Sequence, residues 1–137
     1  MAEDGEPDVV TLQKVKIEPN NCFLEEALQL GMEFTCLKAI PNASWHIRFI
    51  ADTAMSRKIV ELGSTPEQDY AAGGASMHFA VDAVNVAHLK RHVLANVGLL
   101  QVNLFSCNEE ILQISMVTQV MPDSNGKLIR SIYSPLE

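Results

Sequence analysis

The stretch Leu99-Leu-Gln-Val-Asn-Leu-Phe-Ser-Cys-Asn-Glu-Glu-Ile-Leu-Gln-Ile-Ser-Met-Val-Thr-Gln-Val120 decides the fold. Leu100, Val102 and Leu104 alternate with polar or rim residues, and so do Leu112, Ile114, Met116 and Val120. A repeat of two marks half-buried strands. The polar Ser106 to Glu110 between the runs is short, which predicts an antiparallel hairpin with one face in a core. Its other face carries Leu99, Gln101, Asn103, Phe105, Gln113, Ser115, Val117 and Gln119. That face has amide, hydroxyl and apolar groups and almost no charge, a mixture that suits a protein partner better than bulk water.

Outward from the hairpin, the same repeat recurs. Val9 to Ile17 reads as a first strand with Val15 and Ile17 on its buried side, ended by Pro19-Asn20-Asn21. In Leu28 to Cys36, Leu28, Leu30, Met32, Phe34 and Cys36 share one face. Ile40 to Ala43 reads as a turn. In Trp45 to Ala51, Trp45, Ile47, Phe49 and Ala51 point inward and His46 and Arg48 outward. Arg57 to Leu62 is a short strand or a loop, and Ser64 to Gly74, with Pro66, Gly73 and Gly74, a surface loop. Met77, Phe79 and Val81 alternate again. Val84 to Asn96 is the one helical candidate, from the spacing of Val86, Leu89 and Val93, with Asn85 as its cap. Met121 to Gly126 is a turn, and Lys127 to Tyr133 is extended or loosely helical. Seven or eight short strands with regular turns and one short helix predict an all-β sandwich over residues 9–137, preceded by an acidic tail over 1–8.

Composition narrows the function. The 137 residues suffice for one domain with its own core. A net charge of −7 offers no electrostatic reason to bind bare nucleic acid. No apolar run approaches the ~20 residues of a membrane span. The acidic N-terminus does not read as a signal peptide. The cysteines, Cys22, Cys36 and Cys107, are odd in number and lack metal-ligand spacing. Together these point to a reducing compartment, and so away from glycosylation at Asn42-Ala43-Ser44.

Catalytic signatures are missing from the sequence: it has no Gly-rich phosphate loop, no Gly-x-Ser-x-Gly and no His-Glu-x-x-His. His88 and His92 are four apart on the candidate helix but lack further ligands nearby, so they read as part of a solvated basic turn. Glu109 and Glu110 point apart on a strand and read as a charged hairpin tip. Trp45 reads as a core anchor. Val15-Lys16-Ile17-Glu18, Thr65-Pro66 and Ser134-Pro135 fit short modification patterns that also arise by chance. No cofactor, no metal and no enzymatic activity are expected.

The order of segments resembles the anti-silencing-function histone chaperones, from about Val9 to Tyr133. The resemblance lies in Ile17-Glu18-Pro19-Asn20, in the strand ending Thr35-Cys36, and in Trp45-His46-Ile47 followed by Ala51-Asp52-Thr53-Ala54. It continues in Gly74 through Phe79, Asn96-Val97-Gly98, Glu110 to Val120, and Pro122-Asp123 with Lys127-Leu128-Ile129-Arg130-Ser131-Ile132. The resemblance implies an immunoglobulin-like sandwich, a nuclear location (cytoplasmic as the alternative) and a role in nucleosome assembly. It also implies that the hairpin face grips a helix of histone three through a Val-x-Leu pair, an arginine and acidic residues, while the histone-four tail adds a strand beside the last strand. In this chain the Val-x-Leu positions are Gln101 and Asn103, the arginine position is Gln113, a tyrosine position is Val117, and an acidic position falls near Met55. The candidate partner-binding residues are therefore Ile50, Met55, Leu99, Gln101, Asn103, Gln113, Ser115 and Val117. The competing reading is a sandwich adaptor that has lost histones and recruits another protein; a third, an enzyme or small-ligand carrier, would need a closed apolar cavity between the sheets.

Overall fold

The computed structural model describes residues 9–52, 57–86 and 89–136, and of Asp52, Arg91 and His92 the backbone alone. The tail expected over 1–8, and Met55, lie outside the described residues.

The strands are β1 (Val10–Glu18), β2 (Cys22–Phe23), β3 (Leu28–Cys36), β4 (Ile40–Asp52), β5 (Arg57–Ser64), β6 (Gln68–Tyr70), β7 (Gly73–Val81), β8 (Val97–Ser106), β9 (Glu109–Pro122) and β10 (Leu128–Ile132), with one helix, α1 (Arg91–Leu94). They form an all-β, immunoglobulin-like sandwich. One sheet has the order β1-β3-β7; the other runs β2-β10-β9-β8-β4-β5, with β6 also paired to β4. Every pairing is antiparallel. The ten strands among the described residues exceed the expected count because β2 and β6 are only two and three residues long.

The alternation in the sequence becomes the core. Leu28, Leu30, Met32, Phe34 and Cys36 of β3 face Trp45, Ile47 and Phe49 of β4 and Leu100, Val102 and Leu104 of β8, all buried. Each such side chain contributes roughly 1.5–3 kcal/mol by leaving water. Phe34 meets Trp45 edge-on at 5.4 Å and Tyr70 at 5.2 Å. Tyr70 corrects the surface-loop expectation for 64–74. Its hydroxyl accepts the Trp45 indole N–H at 3.1 Å, satisfying a donor that would otherwise be orphaned in the core, and β6 holds it there.

The helical candidate shrinks to the four residues of α1. Val84 and Val86 are β-branched, poor helix formers, and both are buried in backbone outside any helix or strand, the Val84 N–H donating to the Glu25 carbonyl at 3.2 Å. Asn85 lies six residues before the helix and is not its cap. Lys127 to Tyr133, left open between extended and helical, is the strand β10 on β9.

Arg130 ties the ends of the chain together. It is 1% exposed, and its two Nη atoms donate to the carbonyls of Leu24, Glu26, Pro19 and Ala27 at 2.7–3.2 Å. Burial lowers the guanidinium below the usual arginine range. The fan of carbonyl dipoles stands in for a counter-ion.

Candidate partner-binding face

The hairpin closes through Cys107-Asn108, with φ of 51° and 66°. Two residues in the left-handed region make the tight hairpin turn whose twist matches the strands it joins. A bulge at Ile111 shifts the register, so Leu104 pairs with Leu112 but Phe105 with Glu110.

This register assembles the sequence-predicted residues on one face in transverse rows. Ile59 of β5, Ile50 of β4, Leu99 of β8 and Val117 of β9 lie side by side. The next row is Glu61, Arg48, Gln101 and Ser115; the next holds His46, Asn103 and Gln113; the last holds Phe105 and Glu110. Rows lie about 7 Å apart, two residues of strand rise. All the candidates except the undescribed Met55 therefore fall within three adjacent rows.

They do not all face solvent. Ile50 is 0% exposed, Gln101 3% and Asn103 4%, so none of the three is a free contact surface. β4 and β8 are interior strands, and neighbouring side chains close over their small polar groups. Leu99 is half-buried, while Gln113, Ser115 and Val117 are exposed. Val117 and Ile59, at 47% and 46% exposure, form the open apolar flanks of the first row.

The buried amides have partners. Arg48 Nε donates to Gln101 Oε1 at 2.9 Å, and Gln101 Nε2 donates to Ser115 Oγ at 3.4 Å, a chain across β4, β8 and β9. Asn103 Nδ2 donates to Glu110 Oε1 at 2.9 Å, whereas Asn103 Oδ1 is buried without a partner. His46 packs against Phe105 with ring centroids 4.4 Å apart. The nearly uncharged face expected from the hairpin alone is thus incomplete: Arg48, Glu61 and Glu110 place charges of both signs on it. Arg48 reads as outward-facing in the sequence, but only the pairing of β4 with β8 sets it on Gln101.

Among the described residues no group of three or more His, Cys, Asp or Glu side chains sits close enough to hold a metal. His88 and the side chain of His92 lie outside the described residues. The cavity between the sheets, lined by Leu28, Phe49, Leu62, Leu100 and Thr118 among others, measures about 10 Å³, at most one water molecule. It does not support a small-ligand carrier. A larger groove of about 540 Å³, lined by Phe23, Leu24, Val86, Leu89 and Leu128 among others, shares no residue with the four rows. In comparisons with known proteins, no protein-family model matches the chain and no curated sequence matches it.

Proposed function

We propose that the chain is a non-enzymatic protein-binding module whose partner docks on the outer face of the larger sheet, and that it acts as a diverged histone chaperone for the histone three–histone four dimer. One observation carries the partner-binding reading: the open apolar flanks Ile59 and Val117 adjoin a hydrogen-bonded polar row on a face framed by regular strands. Protein interfaces combine an apolar centre with fixed polar groups in this way. The histone assignment rests on the ordered resemblance described above, and a nuclear location goes with it. The net charge of −7 suits basic partners.

The replacement of the Val-x-Leu pair by buried amides favours a second reading, an adaptor that keeps the face and has changed partner. One titration separates the two. The purified chain is mixed with the histone dimer at ~0.15 M salt, where weak surface attraction is screened, beside the Gln113→Glu variant. Micromolar or tighter binding that the variant weakens supports the chaperone; no binding by the unaltered chain refutes it and leaves the adaptor.

A further inference from the structure

The outer face presents a cation with spare donors beside an apolar row, and that pairing identifies the chemistry of what docks there. Arg48 is half-buried, and its Nε is committed to Gln101 at 2.9 Å. Among the described residues its Nη atoms make no hydrogen bond and no carboxylate lies within 4 Å of it. Glu61, its cross-strand neighbour on β5, does not close on it. The Gln101–Ser115 chain holds the guanidinium in place, so little rotamer entropy remains to be lost when a ligand arrives. A planar fork with free donors is the preferred receptor for a carboxylate.

We propose that Arg48 receives an Asp or Glu side chain from an amphipathic helix of the partner, one turn away from the apolar residue that this helix sets between Leu99 and Val117. The apolar row and the Arg48 row are about 7 Å apart, and residues four apart on a helix rise about 6 Å. A helix laid along β8 therefore reaches both rows with one stripe. Farther along the face, Glu110 of β9, held by Asn103 of β8, sets a negative charge at the other end. The face is polar in direction, and the helix that fits runs apolar, then acidic, then basic. This inference rests on the partner-binding reading of the face but not on the partner being a histone.

The test uses the full chain as bait for a displayed library of amphipathic helical peptides. The baits are the unaltered protein, Arg48→Gln, Arg48→Glu and Val117→Asp. Arg48→Gln keeps a hydrogen-bonding group beside Gln101 and guards against a folding defect. The unaltered protein is expected to enrich helices with Asp or Glu one turn from the apolar anchor. These should lose about tenfold or more in affinity for Arg48→Gln, the weight of one charge-assisted hydrogen bond. Arg48→Glu should enrich Lys or Arg at that position instead. Binders that Val117→Asp abolishes but that show no acidic preference, or the same preference with Arg48→Glu, overturn the assignment of Arg48 while leaving the face as a binding site. Absence of any binder sensitive to Val117→Asp overturns both.

Discussion

Replacing Arg130 by Met removes the cation that gathers the carbonyls of Pro19, Leu24, Glu26 and Ala27 while keeping most of the apolar stem. Four charge-assisted bonds at roughly 1.5–3 kcal/mol each overstate the effect, because folding also strips water from the guanidinium at a cost of several kcal/mol. Buried ion pairs are often replaced by apolar groups without loss. That escape is closed here, since the acceptors are backbone and stay behind. Pro19, Glu26 and Ala27 are exposed residues, whereas Leu24 is 2% exposed and its carbonyl loses the Arg130 donor. The expected loss is about 3–4 kcal/mol, or a fall in Tm of about 10–15 °C for a chain of this size. Arg130→Lys, with one compact ammonium in place of a fork, should lose about half as much. Urea and thermal denaturation give the numbers, and amide exchange at Leu24, whose N–H donates to Leu128 at 2.9 Å, reports the local opening. Arg130→Met within ~1 kcal/mol of the unaltered protein would show that the carbonyl fan is not what fastens β10 to the 19–27 segment.

Three further outcomes follow from the same structure. A Cβ at Gly98 would lie 2.5 Å from the Ile50 carbonyl and 3.2 Å from the Phe49 ring, so Gly98→Ala should force β8 off β4, lower stability by about 2 kcal/mol and weaken docking on the Leu99 row; unchanged denaturation midpoints would contradict this. Asn103→Leu removes the orphaned Oδ1 at similar volume and frees only the exposed Glu110, so it should stabilise by about 1 kcal/mol in urea titration, and a comparable loss would mean the Glu110 bond outweighs the orphan. Burial pushes the Cys36 thiol above the usual 9.0 and does the same to Cys22, with Arg130 pulling Cys22 back; the stability from keeping both protonated is full below pH 9.0 and falls as pH rises through their raised folded values, so at pH 8 iodoacetamide should label the exposed Cys107 first and Cys36 last, an order that equal rates would refute.

The alternating strands were legible because a repeat of two is the direct imprint of one-sided burial. Leu28 to Cys36 and the Leu99–Val120 hairpin lie in the structure as their patterns predict. Where pattern and structure part, the residues match the pattern for a different physical reason. Val86, Leu89 and Val93 recur at helical spacing, yet Val86 is buried outside any helix or strand and only Val93 falls within the short helix α1. Tyr70 was hidden among glycines and prolines, and its place is fixed by a long-range partner, the Trp45 indole, that no local pattern reveals.

The face itself was legible in membership but not in depth. Polarity on the non-core side of a strand ordinarily means water, so the sequence pattern places Gln101 and Asn103 outward. On interior strands a polar group has the other option of pairing with its cross-strand neighbours, and here the neighbours are Arg48, Ser115 and Glu110. Finding them requires two registers, that of β4 on β8 and that of β9 on β8, and the turn and the bulge set only the second. That pairing also bears on specificity. An apolar residue at Gln101 would leave Arg48 without its hydrogen-bonded anchor, so an amide there and an arginine on β4 belong together. On the proposed reading they exchange an apolar contact with the partner for a charged one. A closely packed apolar pair tolerates many apolar partners of similar size, whereas a fixed guanidinium penalises every helix that brings no carboxylate to it. The same scaffold then selects its partner by charge position rather than by apolar fit, which is why reversing the charge at position 48 tests the reading more sharply than any truncation in the core.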